Sequence, residues 1–527
     1  MNSKVLEIYR LLKENKINVA LDLAQKLYNT NTTQPKDFLT VKTLAIAYML
    51  KPDPHLSCYY FKEANSIKSD DFETVTNLAS MAYEVQDFYL SEKMALQSIQ
   101  MDERQHMAYV TLSHLYFTSK DFTLSKNFIE KAIDVLGGDA TKLFNTHEGI
   151  ILSYIDILVA LNEKDRAIKL LSSIIKMEPT NIGALLHTLR KVSPDLIGEE
   201  LIEKSRQEIA ILKNSPNNNK NQLRLSHNYF CLGDYYLKRD PEMADNYFIL
   251  GNEILSTIQR FKPLDHQKKC IENIKTFLSI KDMAVSNKEK GRGLIFITGL
   301  PRSGTTLVES IIGSNALTCT GGELSILPYA ITKNFINNPT IEKLESIGDK
   351  YLASIQFIRK ESIFFVDKLP QNFELIGLIS IALPGAKVIN LQRNYWDTAI
   401  SQFQQYFILN VPFTTSFFSM AVTAANFKFM IDTYSKFVGN DQLMDIHYED
   451  LVDNPNTYIK KLYEFCAIGA EYSPTKRSDH VSKTASSSQV KSEIHQQSIK
   501  KNNFARYKDE FWNTYQNQIS FWEKKSL

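Results

Sequence analysis

Residues 293–310 read Gly-Leu-Ile-Phe-Ile-Thr-Gly-Leu-Pro-Arg-Ser-Gly-Thr-Thr-Leu-Val-Glu-Ser. The apolar run predicts a buried strand, the Gly-, Pro- and Ser-containing middle predicts a tight turn, and the remainder predicts the start of a helix. Backbone amides at such a strand–turn–helix junction converge on one place and favour a phosphate or sulfate there. The segment therefore predicts an anion-binding loop in an α/β domain.

The same segment fits the nucleotide-binding pattern G-x-x-x-x-G-K-[ST] except at one position. Gly299 and Gly304 occupy the glycine positions and Thr306 the hydroxyl position, but Thr305 replaces the lysine. That lysine reaches the terminal phosphates of ATP or GTP. Its replacement counts against a kinase or NTPase, which stays open as an alternative.

The composition is that of an ordinary globular protein. The chain has 527 residues, is 43% hydrophobic and 23% charged, and carries a net charge of +2, which gives no strong field for nucleic acid. Its five cysteines lack paired or metal-like spacing, which indicates a reducing compartment. We see no signal peptide and no apolar run near the ~18 residues of a membrane helix, so we expect a cytoplasmic protein without a membrane span.

The first half of the chain repeats itself with a period of 34 residues. Matching positions include Leu44, Leu78 and Leu112, then Asp53, Asp87 and Asp121, then Ser57, Ser91 and Ser125. This spacing is typical of tetratricopeptide repeats, in which helix pairs stack into a superhelix. A fourth unit is predicted to end near Pro179 and a further one lies around residues 232–251. The alternative is a generic helical bundle with accidental periodicity.

The pattern changes near residue 285. A polar joint at residues 287–293 precedes short apolar runs that alternate with helical stretches. Strands are predicted at residues 294–298, 363–366, 386–391 and 443–446. Strand–helix alternation predicts a parallel sheet wrapped by helices, with the ligand at the carboxyl ends of the strands. We therefore expect an all-α, tetratricopeptide-like solenoid over residues 1–285 and an α/β, P-loop-like domain with a central parallel sheet over residues 286–527.

The anion-binding loop also resembles a loop of a known enzyme family. Residues 301–306 are similar to the 5′-phosphosulfate loop of sulfotransferases that use 3′-phosphoadenosine-5′-phosphosulfate (PAPS). The similarity is greatest to the tyrosylprotein sulfotransferases and to bacterial proteins that fuse tetratricopeptide repeats to a sulfotransferase domain. It implies that five consecutive residues bind the donor, namely Arg302, Ser303, Gly304, Thr305 and Thr306.

A second segment, residues 387–401, resembles the 3′-phosphate signature of that family. The signature is a strand followed by R-[DN]-P-x-D-x-x-x-S, and the resemblance assigns Arg393 and Ser401 to the 3′-phosphate. An arginine and a hydroxyl placed across a helix start can converge on one phosphate. Tyr395 replaces the usual proline, and Trp396 stands at a position that is often arginine in the family. The local loop shape is therefore expected to differ.

The resemblance also implies three residues for the chemical step besides Arg302. Glu323 stands at the spacing of the general base in the tyrosylprotein branch, although it could instead cap the next helix. Lys368 corresponds to a lysine near the bridging oxygen and the sulfuryl group; without the family, it reads as a solvated strand-end lysine. Ser486 corresponds to a serine in a loop that closes over the donor. Ser487 or Ser488 could match the same serine if the alignment shifts by one or two residues.

Two further residues are implied to contact PAPS. Tyr448, in a Tyr-Glu-Asp-Leu segment, corresponds to a residue near the adenine, and Lys501 stands where a basic residue usually contacts the donor. Asn502 replaces the aromatic residue that usually follows. For Lys501, as for Ser486, an ordinary polar surface loop is the alternative.

The expected activity is transfer of a sulfuryl group from PAPS to an acceptor hydroxyl, with release of 3′-phosphoadenosine-5′-phosphate (PAP) and without a metal. The favoured acceptor is tyrosine in a peptide or protein, which the repeats could recruit. A carbohydrate or small-phenol acceptor and a repeat scaffold with an inactive nucleotide fold are the alternatives. For the repeats, a dimerisation or spacer role is the alternative to peptide binding, and a homodimer is compatible with it.

Overall fold

The computed structural model describes residues 3–30, 36–177, 179–283, 287–407, 411–469 and 504–525. The chain divides into two compact units, residues 1–177 with 356–358 and residues 178–355 with 359–527. The division expected from the sequence, between residues 285 and 286, falls inside the second unit. The expected boundary marks a change from helical repeats to strand–helix alternation, whereas the two units are separated by how compactly the chain packs. The expected boundary therefore stays a prediction.

The first unit is built of helices that pack in consecutive pairs, α3 with α4, α5 with α6 and α7 with α8. The helices of this unit are α1 (Ser3–Lys13), α2 (Ile17–Thr30), α3 (Phe38–Leu50), α4 (Pro54–Ile67), α5 (Phe72–Glu84), α6 (Phe88–Met101), α7 (His106–Thr118), α8 (Phe122–Val135), α9 (Ala140–Leu143), α10 (Glu148–Ala160) and α11 (Lys164–Lys176).

The 34-residue period of the sequence appears as a repeated set of hydrogen bonds. Asp53, Asp87 and Asp121 each cap the second helix of a pair by accepting a bond from a backbone amide. The three serines four residues later each tie that helix to the first one: Ser57 Oγ donates to Ala45 O (3.0 Å), Ser91 Oγ to Ala79 O (2.9 Å) and Ser125 Oγ to Ser113 O (2.8 Å). The repeat prediction is therefore confirmed, because each matched residue has the same structural task.

The second unit begins with five helices, α12 (Ile182–Val192), α13 (Glu199–Lys213), α14 (Asn219–Tyr236), α15 (Pro241–Ile258) and α16 (Pro263–Ile280). Helices α14 and α15 form the predicted further helix pair. Gly233 and Gly251 allow their close approach, since an added Cβ would lie 2.8 Å from the Phe248 ring at the first and 2.8 Å from the Phe230 ring at the second. Within the described ranges, no helix is long and apolar enough to cross a membrane.

The rest of the second unit contains a five-stranded sheet. Its elements are β1 (Leu294–Gly299), α17 (Thr305–Gly313), β2 (Thr318–Gly322), α18 (Ile326–Ala330), α19 (Lys333–Asn337), α20 (Ile341–Arg359), β3 (Phe364–Asp367), α21 (Ile376–Ala382), β4 (Lys387–Gln392), α22 (Tyr395–Phe403), α23 (Phe417–Tyr434), β5 (Leu443–His447), α24 (Tyr448–Asp453), α25 (Pro455–Phe465) and α26 (Lys508–Glu523). A short 3₁₀ helix at Pro370–Leu375 follows β3.

The sheet is parallel throughout, in the order β2-β3-β1-β4-β5. Four strands coincide within one residue with those expected from apolar runs, and β2 was missed. The carboxyl ends of the strands meet at one edge, where Gly299 lies opposite Leu391, Gln392 opposite His447 and Gly322 opposite Asp367. Every motif that follows a strand is thereby brought to this edge.

The core beneath that edge consists of apolar side chains from the sheet and from two flanking helices. Ile295 and Ile297 of β1 pack with Ile389 and Leu391 of β4 and with residues of α17 and α25, all at most 5% exposed apart from Tyr463 at 6%. Burial of this kind contributes about 25 cal/mol per Å² of apolar surface. The loops at the strand ends therefore lie above a closely packed apolar core.

Candidate active site

The loop between β1 and α17 has a backbone that depends on its glycine. Gly304 has φ of 107°, and an added Cβ there would lie 2.4 Å from Cδ2 of the Tyr448 ring. Arg302 also has a positive φ, 70°, which is uncommon for a residue with a side chain. Strain of this kind persists only where the surroundings impose the conformation, and it is common at ligand-binding sites.

Hydroxyl groups and backbone amides line this loop. Ser303, Thr305 and Thr306 are 1%, 3% and 4% exposed. The Ser303 Oγ atom is buried and has no hydrogen-bond partner among the described residues. The first amides of α17 lack carbonyl partners within the helix, as at any helix start. The buried Ser303 hydroxyl lies at this helix start, and anion binding by the loop stays a prediction.

A glycine replacement tests this backbone. We expect Gly304→Ala to lower stability by about 1–3 kcal/mol, because the methyl group meets the buried Tyr448 ring and the φ angle is unfavourable. Gly322→Ala is the matched control, since Gly322 has φ of 70° but an added Cβ there meets nothing within 4 Å among the described residues. Thermal unfolding of both variants gives the comparison. Equal losses of stability in the two variants would show that the contact of residue 304 with the Tyr448 ring does not limit the substitution.

Two arginines meet beside the loop. Arg302 Nε donates to Ser401 Oγ (3.1 Å), and Arg393 Nη1 donates to the carbonyl oxygen of Arg302 (3.1 Å). Burial, together with the positive charges of Arg393 and Arg190, lowers the pKa of Arg302 to about 10. An anion placed between the guanidinium groups would offset this repulsion. The structure therefore brings together three residues that came from two separate motifs.

The helix that carries Ser401 begins normally despite the departures noted in the sequence. Asn394 caps α22 by accepting a bond from the amide of Asp397 (3.0 Å), so Tyr395 can replace proline at the first helical position. Trp396 is 5% exposed and its ring packs against Phe417, with ring centroids 5.1 Å apart. The two substitutions change packing but leave the helix start intact.

Glu323 and Lys368 form an ion pair at the same edge. They meet because β2 pairs with β3: Gly322 lies opposite Asp367, and the Lys368 amide donates to the Gly322 carbonyl (2.8 Å). The Lys368 side chain is 1% exposed and that of Glu323 is 44% exposed. The reading of Lys368 as a solvated lysine is therefore wrong, and residue Ser325 rather than Glu323 occupies the N-cap position of α18.

Beneath this ion pair lies a buried carboxyl group. The Tyr351 hydroxyl donates to Asp367 Oδ2 (2.8 Å), and burial raises the pKa of Asp367 to about 8. An unfolded aspartate titrates near ~3.9, so between these two pH values the native state binds more protons than the unfolded state. The contribution of Asp367 to the free energy of unfolding is therefore expected to fall as the pH rises from about 4 to about 8.

Asp367→Asn should remove this pH dependence while keeping an oxygen for the Tyr351 hydroxyl. We expect the stability gain over the wild type to be on the order of 2 kcal/mol larger at pH 8 than at pH 5. Chemical denaturation at both pH values measures it, and Asp441→Asn, at an exposed position of the same unit, serves as the control. A gain that does not change with pH would contradict the proton linkage.

The remaining sequence candidates divide into two groups. The Tyr448 ring is 8% exposed and lies against the guanidinium of Arg393, 4.7 Å from the ring centroid, so it belongs to the same cluster. Its contact with an adenine stays a prediction. Ser486 and Lys501 lie outside the described residues.

Sequence reasoning missed two residues of this cluster. Gln402 Nε2 donates to the Pro301 carbonyl (2.8 Å), which ties α22 to the loop. Arg190 of α12 forms an ion pair with Asp234 of α14, and its charge acts on Arg302. Gln402 stood beside Ser401 in a known motif and could have been found, whereas no local pattern marks Arg190.

These groups fit a ligand with two separate anionic ends. The loop amides and the buried Ser303 hydroxyl could donate to one anionic group, and Arg393 and Ser401, which both bond to Arg302, could donate to another. The fit to PAPS rests on the buried Ser303 hydroxyl, which has no partner among the described residues, and on the positive charges of Arg302 and Arg393 beside it.

Comparison with known proteins finds similarity in part of the chain. Residues 295–472 match the model of the Sulfotransferase family. A protein of Aquifex aeolicus (strain VF5), described as uncharacterized, is 27% identical over 415 residues, which is 73% of this chain and 52% of the relative. The chain thus spans about half the length of that curated relative.

Solved structures with partial similarity include two kinds of protein. The sulfotransferase domain of the Synechococcus PCC 7002 olefin synthase is 16% identical, with a TM-score of 0.29, and the match covers 46% of this chain and 90% of that domain. Pseudomonas aeruginosa PilF is 14% identical, with a TM-score of 0.31, and the match covers 41% of this chain and 92% of PilF.

Proposed function

We propose that this chain, whose residues 295–472 match the sulfotransferase family, transfers a sulfuryl group from PAPS to an acceptor hydroxyl. The observation that carries the proposal is the convergence of Arg302, Arg393 and Ser401 beside a lysine-free loop. A triphosphate needs a loop lysine and a bound cation, whereas a phosphosulfate donor with a separate 3′-phosphate needs a second anion site. Arg393 and Ser401 supply that second site.

Glu323 is the proposed general base. Its half-exposed carboxylate lies at the carboxyl edge of the sheet, where an acceptor can reach it, and the ion pair with Lys368 fixes its position. As the acceptor oxygen forms its bond to sulfur, its proton passes to Glu323 and the bond between sulfur and the 5′-phosphate oxygen breaks. The electron pair of the broken bond stays on the leaving phosphate.

Lys368 and Arg302 are the proposed stabilisers of that leaving phosphate. The Lys368 ammonium is buried, so its charge acts in surroundings that screen it little. Arg302 presents a fixed guanidinium on a constrained backbone. Ser486 and Lys501 are proposed to join them on donor binding, on the resemblance alone.

The proposed acceptor is tyrosine in a peptide or protein. The support is a carboxylate base rather than a histidine, together with a repeat unit of the kind that binds peptides. A cytoplasmic location and recruitment of the acceptor by the repeats are parts of the same proposal. Carbohydrate and small-phenol hydroxyls are the competing acceptors.

A transfer assay with labelled-sulfate PAPS tests the acceptor. Purified full-length protein is incubated with separate panels of tyrosine peptides, glycans and phenols, and the product is mapped by mass spectrometry. We expect label on tyrosine oxygen in peptides. Label confined to glycans or phenols would overturn the tyrosine assignment but would still show sulfotransferase activity. Magnesium-dependent hydrolysis of ATP without sulfuryl transfer would show that the protein is an ATPase instead.

A further inference from the structure

Helix α22, which carries Ser401, is held at its carboxyl end by helices from the region that precedes the sheet. Asn252 Nδ2 of α15 donates to the carbonyl oxygen of Phe403 (2.8 Å), the last residue of α22. The carbonyls of a last helical turn lack partners within the helix, so a buried one needs an outside donor. Asn252 supplies that donor.

Neighbouring contacts strengthen the attachment. Gln259 Nε2 donates to the Phe407 carbonyl (3.3 Å), and the Tyr406 hydroxyl donates to the Leu223 carbonyl of α14 (3.3 Å). The Tyr406 ring stacks on His227 with centroids 4.3 Å apart. Residues 403–407 are therefore fastened to both α14 and α15.

Asn252 itself is fixed in place. Its side chain is 2% exposed, and Nδ2 also donates to the Phe248 carbonyl on its own helix (2.9 Å). A buried amide with two carbonyl partners has little freedom to rotate, because each lost bond leaves an unsatisfied polar group. The amide can therefore set the position of the Phe403 carbonyl.

The fastened segment is continuous with the anion-binding loop. Ser401 accepts from Arg302 and Gln402 donates to Pro301, both within two residues of Phe403. A shift of the α22 terminus would move these two contacts together, since the residues belong to one helix. Asn252, which bonds the end of this helix, lies outside the residues that the family model covers.

We propose that Asn252 is a positioning residue for the donor site, which acts by holding α22 so that Ser401 and Gln402 meet the loop. This inference rests on the proposed function, because it takes PAP as the ligand of that site. Helices α14 and α15 would then help to position the donor site, in addition to any role in recruiting an acceptor.

The test compares Asn252→Leu with Asn228→Leu in the full chain. Asn228 is a matched control: it is also buried, bonds the Arg224 carbonyl on its own helix and accepts from Ser205, but has no bond to residues 403–407. We expect Asn252→Leu to weaken PAP binding about tenfold and to raise the KM for PAPS, with kcat changed less than about twofold. The control should stay within about twofold of the wild type.

Hydrogen exchange of residues 395–407 gives a readout that does not need the donor. We expect faster exchange there in Asn252→Leu and wild-type exchange in the control. Tyr406→Phe, which keeps the ring stack and loses only the hydroxyl, provides a mild second variant with an expected loss of about threefold in PAP affinity.

The outcomes separate the inference from the proposed function. Equal PAP affinity and equal exchange in Asn252→Leu and its control would overturn the positioning role. If the wild type does not bind PAP but exchange in α22 rises only in Asn252→Leu, the donor assignment fails and the attachment of α22 by Asn252 stands.

Discussion

Replacement of Glu323 by glutamine is expected to lower kcat by about 10²- to 10⁴-fold and to leave PAP affinity within about twofold of the wild type. The reason is that the carboxylate takes the acceptor proton and is not among the proposed contacts to the donor. Glutamine keeps an oxygen for the buried Lys368 ammonium but leaves it without a counter-charge, so stability should also fall. Initial rates at saturating PAPS and calorimetric titration with PAP give the two numbers.

Two variants define the control for this result. Glu361→Gln removes a carboxylate at an exposed position before β3 and should leave kcat unchanged. Glu323→Asp keeps the charge at a shorter reach and should retain more activity than Glu323→Gln. A Glu323→Gln protein that turns over at the wild-type rate would exclude Glu323 as the base.

Arg393→Ala is expected to weaken PAP binding about 100-fold, because charge-assisted bonds to a phosphate are worth about 1.5–3 kcal/mol each. AMP, which lacks the 3′-phosphate, should bind the variant and the wild type with similar affinity. The preference for PAP over AMP should therefore collapse. Calorimetric titration of both nucleotides into both proteins measures this preference.

Lys387→Ala is the matched control, since Lys387 contributes a positive charge at the opposite end of the same strand, β4. It should leave the preference for PAP intact. If Arg393→Ala weakened PAP and AMP by the same factor, Arg393 would act through its bond to the Arg302 carbonyl and the shape of the loop, and the 3′-phosphate assignment would be lost.

Four of the five strands were predictable because each contains an apolar run between turn residues, although β5 is only partly buried. Strand β2 was not, since its Thr-Cys-Thr-Gly-Gly sequence is short, half-buried and at the edge of the sheet. Missing β2 hid the pairing that places Glu323 beside Lys368. For the same reason the residues alone indicated a solvated lysine at a position that is 1% exposed.

The two anion-binding motifs could be found because each lies within a short segment of sequence. Their convergence through the Arg302–Ser401 bond joins residues 99 positions apart and required the fold. The Asn252–Phe403 bond spans 151 positions and links a helical-repeat pattern to a phosphate motif. No local pattern predicts such a contact, because a buried asparagine in a helix has many structural uses.

The proposed activity is transfer of a sulfuryl group from PAPS to a hydroxyl at the edge formed by β1, β3 and β4. The most direct measurement is the stoichiometry of labelled sulfate transferred and PAP released when the full-length protein is incubated with PAPS and a pool of tyrosine peptides. We predict equal amounts of both products, with transfer lost in Glu323→Gln. Release of PAP without any labelled peptide, or no PAP at all in the presence of acceptors from all three panels, would contradict the claim.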